Sequence, residues 1–219
     1  MDLQLKDKVA LVTGAGSQIG YGRAIAVTLA EEGCDIIAAD IDLEGAQQTA
    51  AQVEALGRKA LAVKVNVTKQ AEVDAMVEKA VKKFGKIDIQ TNLYGQMRVA
   101  RAVLPHMIAQ KYGRIINTSG GQGIPNISIY GAAKGGVVQF TKALAREVAS
   151  QGVIVNAVGP GLGKTGLIYR APEEFLEGER QMSLLKRLCE PSDVAPVVAS
   201  LASDKCSYMV GQLVQLSSS

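Results

Sequence analysis

Val9-Ala10-Leu11-Val12-Thr13-Gly14-Ala15-Gly16-Ser17-Gln18-Ile19-Gly20-Tyr21-Gly22-Arg23-Ala24 is the stretch on which the reading of this chain turns. Val9 to Thr13 is a short apolar run ending in a glycine cluster, as a buried strand does. From Arg23 to Glu32 the apolar residues Ala24, Ile25, Val27 and Leu29 recur at helical spacing, and Gly33 stops the run. A glycine turn between strand and helix lets the main chain come close to a pyrophosphate, while the helix aims its first amides and its positive dipole end at the anion. Gly14, Gly16, Gln18, Ile19 and Gly20 are therefore candidate dinucleotide-binding residues. The competing reading is a β-α turn with no ligand. The position after a first strand and before an amphipathic helix favours binding.

Working outward, Asp35 to Ala39 is a second strand, followed by Asp40-Ile41-Asp42. A carboxylate about twenty residues past the glycines can accept from the adenosine ribose hydroxyls and would repel a 2′-phosphate. Asp40 thus argues for NAD over NADP. The bland alternative is that Asp40 caps the next helix, but Asp42 is better placed for that.

The remaining chain alternates in the same way. Helices are expected at Leu43 to Leu56, Lys69 to Phe84, Asn92 to Gln110, Tyr130 to Ser150, Pro172 to Leu188 and Ser192 to Ala202. Strands are expected at Ala60 to Val65, from Ile87 to Ile89, and at Arg114 to Thr118, Val153 to Val158 and Gln212 to Leu216. The alternation predicts an α/β fold with a parallel sheet covered on both faces. With 219 residues, 47% hydrophobic and 21% charged, one domain spanning 1–219 suffices. A net charge of +3 with scattered Lys and Arg gives no nucleic-acid footprint. Neither a signal peptide nor a transmembrane run is expected, so a membrane partner is not. Cys34, Cys189 and Cys206 are odd in number and far apart, which suits reduced thiols in the cytoplasm and no metal site.

Tyr130 and Lys134 stand four apart at the start of a helix, so phenol and ammonium can line one pocket. A phenol has a pKa near 10, and a nearby Lys⁺ with the positive helix end favours phenolate. Such a pair can act as general acid towards a carbonyl and as base towards an alcohol. Alone, this spacing is weak evidence, because many surface helices carry it.

Taken in order, VALVTGAGSQIGYGRAIA, AADID, FGKIDI, TNLYG, AVLPHM, GRIINTS, YGAAK, VNAVGPG and VGQLV resemble the short-chain dehydrogenases/reductases, of the group that includes 3-oxoacyl carrier-protein reductases. The likeness runs from residue 8 to about residue 214. It implies a single-domain, doubly wound Rossmann fold binding NAD, with a small carbonyl or alcohol as substrate. It also implies a homo-oligomer, dimer or homotetramer. By resemblance Tyr130 is the acid/base, Lys134 lowers its pKa and holds the nicotinamide ribose, and Asn92 opens a helix and anchors a water relay. Asn66 and Val67 match the adenine contact. Val158, Pro160, Gly161 and Thr165 match the loop at the nicotinamide end, and residues 162–188 would form a substrate lid. Leu167, Ile168, Phe175, Met182, Leu184 and Leu185 give that lid an apolar cast. A non-catalytic NAD-binding subunit of the same fold is the second reading.

The sequence departs from the pattern in four places. Gln18 stands where a Gly belongs, so the glycine turn reads as two residues longer. After Ile89 the family's strand continuation and Asn-Asn-Ala-Gly motif are missing, and Gln90-Thr91-Asn92 follows at once. Losing half a central strand should expose core and main chain, so a break between Ile89 and Gln90 is expected in place of a peptide bond. The strand before Gly120 ends in Thr118-Ser119, which leaves Ser119 as the candidate oxyanion donor. The end, Gln215-Leu216-Ser217-Ser218-Ser219, lacks the family's Asp-Gly-Gly. Gly159 to Thr165 mimics a Walker A loop but is one residue short, and His106 on an apolar helix is structural before it is catalytic.

Overall fold

The computed structural model describes residues 2–92, 95–120, 128–163, 165, 168 and 171–217, with Thr91 and Asn92 described by main chain alone. Among the described residues seven strands and seven α-helices alternate, except that two helices follow one another before the last strand. The first half comprises β1 (Val9–Thr13), α1 (Tyr21–Glu31), β2 (Asp35–Asp40), α2 (Leu43–Ala55), β3 (Ala60–Lys64) and α3 (Gln70–Phe84). The second comprises β4 (Ile89–Asn92), α4 (Gln96–Ala109), β5 (Gly113–Thr118), α5 (Ser128–Val148), β6 (Val153–Pro160), α6 (Glu173–Met182), α7 (Pro191–Ala202) and β7 (Leu213–Leu216). All neighbouring strands are parallel, in the order β3-β2-β1-β4-β5-β6-β7. The order reverses between β1 and β4, and a crevice at such a reversal is where doubly wound sheets bind ligands.

The core explains why this sequence adopts the sheet. β1 and β5 are buried throughout, so their apolar runs need no alternation. One face packs Val12, Ile36 and Ile116 against Ile25 and Leu29 of α1 and Val194 and Val198 of α7. The other packs Leu11, Ile37, Ile115 and Val155 against Val73 of α3, Val99 and Val103 of α4, and Leu144 of α5. No helix among the described residues is long and apolar enough to cross a membrane.

Two expectations fail at β4. Ile89 and Gln90 are consecutive residues of one strand, facing Ala10 and Leu11 of β1 and Arg114 and Ile115 of β5, so there is no break between them. Asn92 closes β4 and does not open the next helix, which starts at Gln96 behind a left-handed Gly95 (φ 71°). The physical reason is the sheet itself. The groove between β1 and β5 needs a strand to satisfy its main chain, and Gln90 to Asn92 are the residues within reach. The consequence is that Gln90 is fully buried, and among the described residues neither its Oε1 nor its Nε2 has a hydrogen-bond partner.

Candidate functional site

The glycine turn is built by close approach. Gly14 takes φ 72°, a conformation that glycine adopts without strain. A Cβ on Gly22 would run into the Gly14 carbonyl, so only glycine lets α1 settle this tightly on the turn. Gly20 precedes α1 with no side-chain cap, and the first turn of α1 carries no acidic residue, which leaves its amides compatible with an anion. The extra length of the turn is taken up against α2. The Gln18 amide donates to the carbonyls of Gly16 (2.9 Å) and Gly45 (3.0 Å), and Thr49 Oγ1 donates to the Ala15 carbonyl (2.6 Å). Gln18, expected at the cofactor, thus turns its side chain to the loop and α2. Ile19 is exposed beside it.

Asp40 and Asp42 divide their work. Asp42 Oδ1 accepts from Gly45 N (3.2 Å) and caps α2. Asp40 Oδ2 accepts from Gly16 N (2.7 Å) and Oδ1 from Asp42 N (3.0 Å), which fixes the carboxylate at the rim of the turn. Carboxylate oxygens have further lone pairs, so these bonds leave capacity for ribose hydroxyls. Asn66 accepts at Oδ1 from Thr68 N (3.0 Å) and Oγ1 (2.7 Å), while its own N–H donates to Glu72 (2.8 Å). It therefore shapes the entry to α3. Val67 is half-buried and sits against Gly95, where a Cβ would crowd it.

The second half of the site lies over β5 and β6. Tyr130, in the first turn of α5, is 37% exposed, whereas Lys134 one turn later is buried. Lys134 Nζ stands 5.7 Å from the Tyr130 ring centroid and donates to the Thr118 carbonyl (3.0 Å). Burial holds its pKa below the usual lysine value. Ser119 is also buried, and its hydroxyl donates to the Lys134 carbonyl (2.9 Å). This bond places the Ser119 hydroxyl beside the main chain of α5, one residue past the Thr118 carbonyl that Lys134 reaches. The Asn92 side chain and, in the expected lid, Lys164, Gly166, Leu167, Tyr169 and Arg170 lie outside the described residues.

Pro160 ends β6, and Gly161 N donates to the Leu216 carbonyl (2.6 Å). Gly159 and Pro160, which open the Walker-like stretch, belong to β6, and Thr165 N donates to the Gly163 carbonyl (2.6 Å). Two residues were missed from sequence. Gln96 at the start of α4 donates from Nε2 to the same Thr118 carbonyl that Lys134 reaches (2.8 Å). Tyr21 donates its hydroxyl to the Gly161 carbonyl (3.3 Å). For Tyr21 a signal existed, an aromatic between two glycines. For Gln96 none did.

Residues 8–90 match the short chain dehydrogenase family model, and residues 89–217 match the model described as enoyl-(acyl carrier protein) reductase. The two matches meet at the shortened join. A 3-oxoacyl-[acyl-carrier-protein] reductase of Thermotoga maritima is 35% identical over 240 residues, covering 97% of each chain. A cyclohexanol dehydrogenase of Acinetobacter sp. is 38% identical over 241 residues, covering 96% of this chain and 94% of the relative. Since this chain has 219 residues, at least 21 positions of the Thermotoga alignment have no counterpart in it. Among solved structures, an NAD⁺-bound xylitol dehydrogenase superimposes with a TM-score of 0.90 at 29% identity, covering 99% of this chain and 100% of that one. A short-chain type dehydrogenase/reductase of Mycobacterium marinum gives 0.92 at 27% identity, covering 99% and 96%.

Proposed function

This chain belongs to the short-chain dehydrogenase/reductase family, and from that premise we propose that it moves hydride between NAD(H) and a carbonyl or secondary alcohol, with Tyr130 as acid/base. The observation that carries the reading is Tyr130 on the open side of α5 with Lys134 buried beneath it.

The glycine cradle and Asp40 fit a dinucleotide. Gly14 turns the main chain with a left-handed φ of 72° and Gly22 lets α1 seat against the Gly14 carbonyl, which brings the first amides of α1 to the turn, and Asp40 stands at the rim for the adenosine ribose. A carboxylate there disfavours a 2′-phosphate, which supports NAD over NADP. When bound, the nicotinamide supplies or accepts the hydride. The protein's own share is the proton. In reduction the Tyr130 hydroxyl donates it to the carbonyl oxygen, and in oxidation the phenolate removes it from the alcohol. The Lys134 ammonium and the N-terminal end of α5 favour the phenolate. The Ser119 hydroxyl, bonded here to the Lys134 carbonyl, would rotate towards the substrate oxygen to act as oxyanion donor, a contribution on the order of 10²–10³ in rate. The exposed Phe175, Met182, Leu184 and Leu185 favour an apolar substrate, with residues 162–188 as its lid.

The second reading, an NAD-binding subunit without turnover, draws on two observations: the Ser119 hydroxyl bonded to main chain and the shortened passage from β4 to α4. NADH oxidation against a panel of ketones, with Tyr130→Phe alongside, separates the two. Turnover abolished in the variant supports the enzyme. NADH binding without turnover on the panel supports the subunit.

A further inference from the structure

Tyr21 is the first residue of α1, at the turn read above as the pyrophosphate site, yet its side chain reaches across to the far side of the crevice. Its hydroxyl donates to the Gly161 carbonyl (3.3 Å), just past the end of β6. A Cβ on Gly163 would collide with this same hydroxyl and crowd the Cys189 carbonyl (2.6 Å), so Gly163 has room for no side chain while Tyr21 is seated. Cys189 N donates to the Leu162 carbonyl (2.9 Å), and Gly163 and Cys189 form a parallel bridge. Residues 161–163 and Cys189 are thus the two stems of the segment that leaves β6 and returns at α7, and one phenol braces both.

We propose that Tyr21 is a positioning residue that ties the pyrophosphate turn to the two stems of the lid and so shapes the floor for the nicotinamide end of the cofactor. This deepens the reading of the chain as an NAD(H) protein and rests on it. The hydrogen bonds that fix Asp40 at the turn come from Gly16 and Asp42, whereas the brace runs from Tyr21 to Gly161, so the two halves of the dinucleotide should respond differently to its removal. Burial pushes the Tyr21 phenol well above its usual pKa, and Cys189, Asp193 and Tyr130 act in the same direction, so it stays a neutral donor.

The test is equilibrium binding of two probes, NADH and ADP, to wild type and Tyr21→Phe. ADP spans only the adenosine and pyrophosphate part. Loss of one hydrogen bond that orders a loop corresponds to about a tenfold change in binding. Tyr21→Phe should weaken NADH about tenfold and leave ADP within about twofold. Gly163→Ala, which pushes the intact phenol from its seat, should show the same selective loss. Equal loss for both probes would mean a general disturbance of the turn, and unchanged NADH binding would mean no brace; either overturns the proposal. So would a wild type that binds NADH no more tightly than ADP. None of these readouts requires a substrate, so failure of hydride transfer on the ketone panel is a separate result.

Discussion

The turn after β1 and the end of β4 are neighbours at one edge of the sheet, and they are satisfied to opposite degrees. Around the turn, Gln18, Asp40 and Thr49 all find partners, and Gly22 and Gly45 admit the Gly14 and Gly16 carbonyls at distances that a Cβ would block. In β4, Gln90 is sealed between Leu11 and Ile115 with both side-chain polar atoms unpartnered among the described residues. An insertion at the turn lies at the surface, where extra residues can fold back on α2. A shortening at β4 falls in the middle of the sheet, where a strand is required whatever its side chains. Length changes are therefore absorbed at one site and stored as an unsatisfied amide at the other.

Four measurements would break or sharpen this contrast. The largest effect is expected at the β5–α5 side. Tyr130→Phe should lower turnover by about 10²–10⁴, the usual range for a positioned acid/base, while NADH affinity holds. An undiminished rate would remove the catalytic role from this half of the crevice. Next, Asp40→Ala should weaken NADH binding by roughly tenfold to a hundredfold, because a charged acceptor contributes about 1.5–3 kcal/mol. The same change should improve relative binding of NADPH. Preference for NADPH already in wild type would contradict the role given to Asp40.

Gln90→Leu should act the other way and stabilise. Removing an unpartnered buried amide relieves about 1–3 kcal/mol, which in a chain of this size raises Tm by about 2–4 °C per kcal/mol. A lower Tm by thermal denaturation would show that the amide has a partner, such as buried water. The smallest effect concerns Lys134. Its folded pKa lies below the ordinary 10.5, so between those values the unfolded chain binds more protons and stability rises with pH. Lys134→Met should flatten that alkaline slope in denaturation curves, and an unchanged slope would assign it to other groups.

Much of the fold could be read directly. β1 begins and ends where its apolar run does, and α2, α3 and β6 start within one residue of their expected limits. Asp42 as the cap of α2 followed from its place before the helix. Tyr130 and Lys134 were legible because i and i+4 share a helix face whatever surrounds them. Asn92 was expected to open a helix and instead closes β4, because it was placed by its match to a pattern of fixed length, whereas its position depends on how a changed loop is accommodated.

Local periodicity, glycine spacing and the Tyr-Lys step on one helix were determined by the sequence alone, because these relations reach only a few residues along the chain. That Gln90 to Asn92 would be drawn into β4, that the Ser119 hydroxyl would turn to α5, and that Tyr21 would brace Gly161 and Gly163 were decided only by the tertiary structure. Those outcomes depend on unsatisfied main chain and close contact between segments up to about 140 residues apart, a competition that no local pattern records.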